Sequence, residues 1–402
     1  MAAWLLLAVG IAVSCFVAYN IGGATTGPAF APAVGAGIIS KVLAAAFMSV
    51  FFFVGAVTIG RRVVDTLGQE LVADPAIFTL TASIIVLFYI GGALFIGNTF
   101  GVPASTSMTA VGAIAGLGLA TGELNWAVMG EIVSWWLVAP IIGFWVAAIV
   151  GRYFYVYIDD WIAINQTEGA LVAFDRSNVV PRPTAGPNTT SRELVGSIVV
   201  VLIGCVMAFS SGTSNIANAI APLVGSGQIE MNVGIAFGSV AVAVGAFTIG
   251  RRTMETLGND ITNLPLTAAI VVALISSLIV ILLSGAGIPA SFVVVATMSI
   301  VGLGWGRATR TTTLAESVES KEAPQPSVGG LAAEDTATVG DPTLEDGGEP
   351  DPIGAEEPEE IPDASDLFKP STTARVIIIQ NVVPIVATVG SFVTFQLLFL
   401  LT

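Results

Sequence analysis

The feature that most constrains the fold is an internal repeat: residues 22–71 recur as residues 212–261, 190 positions later and without a gap. The two segments are identical at 23 of their 50 positions. The best-matched stretch is Gly-Ala-Val-Thr-Ile-Gly-Arg-Arg at 55–62, which returns as Gly-Ala-Phe-Thr-Ile-Gly-Arg-Arg at 245–252. Self-similarity over this length indicates a chain built from two copies of one structural unit.

The composition indicates that both units lie in a membrane. Of the 402 residues, 54% are hydrophobic and 11% are charged, with a mean hydropathy of +0.87. The first apolar run has no basic segment before it, which argues against a cleaved signal peptide. We therefore predict an all-α polytopic membrane protein, and a duplicated unit in such a chain is typical of secondary transporters. The predicted spans are 2–19, 42–59, 76–97, 103–120, 127–150, 194–210, 232–249, 265–284, 288–305 and 376–401.

The last span predicts how the second unit is completed. The residues Val-Val-Pro-Ile at 382–385 resemble Val-Ala-Pro-Ile at 138–141, so the tenth span is predicted to be a displaced fifth helix. Because five is odd, the second unit must enter the membrane from the opposite face, which gives two inverted repeats with broken or re-entrant helices. The distribution of basic residues favours both termini outside. The predicted organisation is a first transmembrane repeat at 1–151, a central cytoplasmic loop at 152–193, a second transmembrane repeat at 194–306, a disordered acidic insert at 307–374 and a final transmembrane helix at 375–402.

The acidic insert carries most of the net charge of −15. Residues 306–375 hold 16 of the 29 acidic residues but only 5 of the 14 basic ones. The segment is rich in Pro and Gly and nearly free of aromatic residues, a composition that predicts disorder. We expect a solvated spacer without a binding partner of its own.

Two pairs of irregular apolar segments are the candidates for chemistry. The Gly- and Pro-rich segment 22–37 pairs with 212–227, and 101–107 pairs with 287–291 at an offset of 186. Breaks in membrane helices occur where the backbone is buried in protein or lines a cavity, and helix starts offer free N–H groups to an anion. Ser214 would cap such a start. The open alternative is helix packing, which also enriches small residues.

These segments resemble the inorganic phosphate transporter (PiT) family of cation-coupled phosphate symporters. One family hallmark is Gly-Ala-Asn-Asp-x-Ala-Asn-Ala, which 212–219 follows with Asn215 at the aspartate position. Another, Gly-Leu-Pro-Val-Ser-Thr-Thr-His, is similar to 101–108, with Met108 at the histidine position. The resemblance implies phosphate symport with a coupling cation, Na⁺ or H⁺, and without a cofactor.

The chain departs from the family at its acidic positions. The hallmark aspartates become Thr25 and Asn215, the first copy's second asparagine becomes Pro28, and no histidine occurs anywhere. The residues that the resemblance would assign to cation coupling are therefore missing, and the metal ligands stay unknown. The first half keeps the hydroxyls and the second keeps the asparagines, which predicts one asymmetric site. Its predicted members are Ser105, Thr106, Ser107, Ser214, Asn215 and Asn218, with Thr25 and Ser291 as weaker partners.

The predicted function is secondary transport of inorganic phosphate across the cell membrane. Sulfate, which only accepts hydrogen bonds, and a non-transporting sensor remain alternatives. A cation exchanger would need intramembrane carboxylates, and no nucleophile–base pair or phosphate loop indicates an enzyme. The predicted partners are the oxyanion, the lipid bilayer and a second copy of the chain in a homodimer, without nucleic acid. The arginine pairs at 61–62 and 251–252 are predicted to anchor helix ends at the membrane interface.

Overall fold

Helices make up most of the described part of the computed structural model, which covers residues 2–99, 105–162, 172–175, 182–185, 191–251, 254, 266–309 and 370–401. Two short strands, β1 (Val172–Asp175) and β2 (Arg182–Ala185), pair antiparallel. The helices are α1 (Ala2–Gly35), α2 (Lys41–Thr58), α3 (Gly60–Asp65), α4 (Leu80–Thr99), α5 (Thr106–Thr121), α6 (Trp126–Ile149), α7 (Tyr155–Ile162), α8 (Ser191–Gly225), α9 (Met231–Gly245), α10 (Leu266–Gly285), α11 (Phe292–Ala308) and α12 (Pro370–Leu401).

Short irregular helical turns extend several of these helices. A 3₁₀ turn covers Pro75–Ile77, and π-helical turns cover Thr66–Glu70, Val150–Phe154 and Ala246–Gly250. Because Val150–Phe154 joins α6 to α7, the helical path runs on to Ile162, ten residues beyond the predicted start of the central loop. The acidic insert lies almost entirely outside the described residues.

The described helices confirm an all-α polytopic membrane protein. Eight of them are long and apolar enough to cross a membrane, and α5 and α11 are shorter apolar helices. With 16 residues, α5 measures about 24 Å, less than the ~30 Å hydrocarbon core of a bilayer. Large apolar side chains such as Leu137, Leu282 and Ile385 remain more than half exposed, as expected for surfaces that face lipid.

The prediction that 22–37 and 212–227 contain helix breaks is wrong. Helix α1 continues to Gly35 with Pro28 and Pro32 inside it, and α8 continues to Gly225 with Pro222 inside it. Membrane helices tolerate such prolines because neighbouring groups satisfy the backbone around them. Both helices end just before a glycine with positive φ, Gly37 and Gly227, at repeat-equivalent positions. The small residues instead allow close helix packing, which is the alternative interpretation that the sequence left open.

Close glycine contacts relate the two halves reciprocally. A Cβ on Gly22 of α1 would overlap the Val242 carbonyl of α9, and one on Gly212 of α8 would overlap the Phe52 carbonyl of α2. Positions 22 and 212, and likewise 52 and 242, are equivalent in the repeat. Reciprocal contacts of this kind are those of two units related by a two-fold axis. That this axis lies in the membrane plane, which would invert the second half, stays a prediction.

The displaced last helix occupies the position that the repeat predicts. Helix α12 approaches α5 closely at Gly116, where a Cβ would meet the Thr388 carbonyl. In the equivalent contact α6 approaches α11 at Gly302, where a Cβ would meet the Phe144 carbonyl. The fifth helix of each half therefore packs against the short fourth helix of the other half.

Candidate functional site

The start of α5 presents consecutive hydroxyls inside the protein. Ser105 is the N-cap: its Oγ accepts a hydrogen bond from the Met108 backbone N–H at 3.3 Å, which satisfies one otherwise unpaired donor of the first turn. Ser105 and Ser107 are buried, and Thr106 is half-buried. The partial positive charge of a helix N-terminus also lies here.

Helix α8 contributes amides from one of its faces. Ser211, Asn215 and Asn218 are spaced by four and three residues, which places them on one side of a helix. The Asn215 Nδ2 donates to Ser211 Oγ at 3.0 Å, and the Asn218 Nδ2 donates to Asn215 Oδ1 at 3.1 Å. These contacts fix the orientation of both amides in the buried interior.

The two elements meet in one hydrogen-bonded cluster. Thr106 Oγ1 donates to Asn215 Oδ1, and the Asn218 Nδ2 lies 3.5 Å from Ser107 Oγ. Ser107 Oγ and Ser214 Oγ are 3.1 Å apart. The structure thus brings together five of the predicted residues, from opposite halves of the chain, and Ser105 caps the helix that carries two of them.

A backbone carbonyl from the second half completes the cluster. Both Ser107 Oγ and Ser214 Oγ donate to Ala290 O, at 3.0 and 2.9 Å. Since a hydroxyl has one hydrogen, the two serines can bond each other only when one of them releases Ala290. Their hydrogens are therefore available to a ligand that offers a better acceptor.

The cluster contains no charged side chain, and one of its acceptors is unused. The Asn218 Oδ1 is buried and has no hydrogen-bond partner within the described part of the chain. Hydroxyl hydrogens can bind oxyanion oxygens, while the free amide oxygen can accept from a protonated oxygen or contact a cation. Among the described residues, no group of three or more His, Cys, Asp or Glu could hold a metal ion.

Two of the predicted residues have their hydroxyls engaged elsewhere. Thr25 Oγ1 donates to Ile21 O of its own helix at 2.7 Å, and Ser291 caps α11 by accepting from the Val294 N–H at 3.4 Å. Ser214, expected to cap a helix start, lies within the continuous α8 and uses its hydroxyl toward Ala290 instead. The expectation of a helix start at Ser214 is wrong for the same reason as the predicted break.

The cluster contains two groups that the sequence analysis does not predict, the Ser211 side chain and the Ala290 carbonyl. Ser211 lies one turn before Asn215, and this spacing places the two on the same face of a helix. The Ala290 carbonyl has no such signal, because every residue carries a backbone acceptor.

The turn between α10 and α11, which carries Ala290, is held by the first half. Trp136 Nε1 donates to Pro289 O at 2.8 Å, and Arg62 donates to Gly285 O. Arg61 donates to Asn232 Oδ1 of α9 at 2.6 Å. The first arginine pair therefore links the two halves, beyond the interfacial anchoring expected of it, whereas Arg252 lies outside the described residues.

The comparisons with known proteins agree with this architecture. Residues 21–323 match the model of the phosphate transporter family. The chain is 31% identical to the sulfate permease CysP of Bacillus subtilis, over 74% of this chain and 77% of that one. It is 25% identical to a putative phosphate permease of Chlamydia trachomatis, over 77% and 92% of the two chains. A solved structure titled "The sodium-dependent phosphate transporter" aligns with a TM-score of 0.65 at 19% identity, over 99% of this chain and 100% of that one, which shows a shared fold.

Proposed function

The chain belongs to the phosphate transporter family, and from this premise we propose that it is a secondary transporter that moves inorganic phosphate across the cell membrane. Family and fold are those of transporters and not of enzymes. The observation that carries the proposal is the buried cluster in which Thr106 and Ser107 of one half meet Ser214, Asn215 and Asn218 of the other. A site at the interface of two repeats is where a secondary transporter binds its substrate.

The chemistry of the cluster suits a tetrahedral oxyanion. Hydroxyl and amide hydrogens can each bond an anion oxygen, and the start of α5 adds its partial positive charge. A buried lysine or arginine would be costly inside a membrane and would hold the anion too tightly for release. A neutral donor set avoids both problems.

Phosphate differs from sulfate in its need for a hydrogen-bond acceptor, and this difference bears on the choice between the two anions. Near neutral pH phosphate keeps a proton and needs an acceptor, whereas sulfate only accepts. The unpartnered Asn218 Oδ1 is an acceptor of the required kind, which supports phosphate.

Sulfate is the second candidate, and one comparison favours it. The relative named a sulfate permease has 31% identity to this chain, more than the 25% of the putative phosphate permease from Chlamydia trachomatis. The neutral residues Thr25 and Asn215, which replace family aspartates, also remove acceptors that a protonated anion would use. A sensor that does not transport is the remaining alternative, and it would bind without uptake.

Coupling to a cation belongs to the same proposal. The solved structure of similar fold is named as sodium-dependent. Neutral oxygens such as Asn215 Oδ1 and Asn218 Oδ1 are the ligands that this chain would offer to Na⁺. Without a fixed negative charge they would bind a cation weakly, so we expect weaker sodium dependence than in family members with the aspartates.

The test is uptake by the purified protein in proteoliposomes. Radiolabelled phosphate and sulfate would be compared with and without a sodium gradient. Thr106→Ala and Ser107→Ala should each raise the KM for the transported anion roughly ten- to hundredfold, since a hydrogen bond to a charged group contributes about 1.5–3 kcal/mol. Ser391→Ala, which alters a buried serine of α12 outside the cluster, is the matched control. Uptake of neither anion by the folded wild-type protein would contradict the proposal.

A further inference from the structure

Three serines of α10 have no evident structural purpose. Ser276, Ser277 and Ser284 are fully buried, and their hydroxyl oxygens have no hydrogen-bond partner within the described ranges. Some other buried serines of the bundle find a carbonyl on a neighbouring helix: Ser83 donates to Pro222 O and Ser391 to Ala113 O, at 2.6 and 2.7 Å. Ser197 of α8 and Ser239 of α9 also lack a partner among the described residues, but only α10 carries three such hydroxyls on one described helix. Buried polar groups without partners are rare in native proteins, so each needs a reason.

The position of these serines points to the candidate site. Ser277 and Ser284 are seven residues apart, two turns along one face of α10. Helix α10 packs on α8, where Ser210 Oγ donates to Ser277 O at 3.2 Å. One turn further along α8, Ser214 donates to Ala290 O, just beyond the end of α10. Helix α10 therefore runs beside α8 from the level of Ser210 to the cluster, and Ser277 lies at the first of these levels.

Helix packing alone does not explain Ser276 and Ser277. The repeat-equivalent helix α4 has Ile90 and Gly91 at the positions of Ser276 and Ser277 and still packs, with Ile90 fully buried. Alanine would fill nearly the same volume as serine without burying an unpaired hydroxyl. Contact with a polar species in another conformation of the protein would offset this cost.

We propose that Ser276, Ser277 and Ser284, together with Ser210, line the passage through which the anion moves between the cluster and one face of the membrane. The inference rests on the proposed transport function and adds the route. Hydroxyls can replace part of the anion's hydration shell while binding it weakly enough for release. In the observed conformation the passage is closed, because all four serines are buried. Transport then requires α8 and α10 to separate.

The test is cysteine accessibility during transport. The chain has two cysteines, Cys15 and Cys205, which would be replaced by alanine to give a background without thiols. Ser277→Cys and Ser284→Cys would be treated in proteoliposomes with a negatively charged, membrane-impermeant methanethiosulfonate. Both should react about tenfold faster than the control Ser391→Cys, which only local opening can expose. Saturating phosphate, or sulfate if that is the anion taken up, should slow the reaction.

A second measurement tests the hydroxyls themselves. The double variant Ser277→Ala, Ser284→Ala should lose most of its turnover while its KM stays near the wild-type value, because the cluster is intact. Cysteines no more reactive than the Ser391→Cys control, or a double alanine variant with normal turnover, would overturn the passage while wild-type uptake persists. Absence of wild-type uptake would instead refute the proposed function.

Discussion

At the residue scale, the most consequential substitution is the neutral amide at position 215. Asn215 Oδ1 accepts from Thr106 and from the Asn218 amide, roles that a carboxylate could also fill. A carboxylate would, however, lose the bond from Nδ2 to Ser211 and place a negative charge beside the bound anion. The asparagine therefore agrees with the proposal that the site binds its anion without a strongly bound cation.

Asn215→Asp should weaken phosphate binding about tenfold or more at low sodium, because like charges at close range repel strongly in a buried site. Raised sodium should restore part of the affinity by neutralising the new carboxylate. The measurement is the KM for phosphate over a series of sodium concentrations. Asn215→Ala is the control, which should weaken binding without any rescue by sodium. Equal sodium responses in the two variants would contradict this account of the charge.

A second residue-scale prediction concerns Asp65, at the end of α3 and outside the membrane spans. Burial raises the pKa of its carboxyl above 3.8, the negative charge of Glu70 adds to the effect, and Arg61 opposes it. A carboxyl with a raised pKa in the folded state favours folding below its ordinary pKa, and that contribution is lost as the pH rises through the folded value. At neutral pH the ionised Asp65 therefore destabilises the fold.

Asp65→Asn should accordingly raise the Tm near neutral pH, with a gain that shrinks as the pH falls toward 3.8. Thermal unfolding in detergent at a series of pH values measures it. Glu70→Gln should give a smaller gain, since it removes only the second cause. A gain from Asp65→Asn that grows on acidification would show that the sign is wrong.

At the scale of the element, sequence reasoning identified the helices better than their breaks. Apolar runs predict the ten apolar helices of the described ranges, eight long and two short, because length and hydropathy are local properties. The Gly and Pro content of α1 and α8 predicts interruptions, yet Gly22 and Gly212 instead allow close contacts with α9 and α2. Such contacts depend on the partner helix, which lies far away in sequence. For the same reason the Ala290 carbonyl could not be predicted.

These contacts predict unequal effects of Gly→Ala substitutions on stability. Gly22→Ala and Gly212→Ala should each destabilise the protein by about 1–3 kcal/mol, as overpacking does, because the new methyl would overlap a backbone carbonyl. Gly130→Ala in α6 is the control, since nothing lies within 4 Å of its Cβ position. It should be neutral or slightly stabilising through helix propensity. Thermal unfolding of the purified variants measures all three, and equal losses would contradict the packing explanation.

The turn between α10 and α11 gives a prediction about positioning. Trp136→Phe keeps an aromatic ring but removes the donor to Pro289 O, so Ala290 should lose its fixed position relative to Ser107 and Ser214. We expect uptake to fall about threefold to tenfold, the equivalent of one hydrogen bond of roughly 1 kcal/mol. Trp126→Phe is the control, because Trp126 is 69% exposed. Equal uptake by the two variants would show that the Trp136 bond does not position the site.

At the scale of the whole molecule, the two halves share an architecture but differ in the polar residues at their equivalent helix contacts. The first half's α5 and the second half's α8 meet in the cluster through Ser107 and Ser214. In the repeat-equivalent pair, α11 and α1, the Ser291 hydroxyl caps α11 and the Thr25 hydroxyl donates to a carbonyl of α1. Pro28 has no side-chain donor or acceptor. The duplication thus supplies the scaffold, and the differences between the two copies agree with the proposal of one asymmetric site.

The acidic insert interrupts this architecture between α11 and α12 and should be dispensable for transport. Its composition gives it too little apolar surface to form a core. Helix α12 packs on α5, and its Ser391 Oγ donates to Ala113 O at 2.7 Å, so its position depends on these contacts. Deleting 315–365 should therefore leave uptake and Tm within about twofold and a few degrees of wild type, because loop length changes the closure entropy only slightly. A scrambled insert of equal length and charge is the control. Loss of uptake on deletion, with membrane insertion intact and the scrambled variant active, would show that the segment's charge or length regulates the transporter.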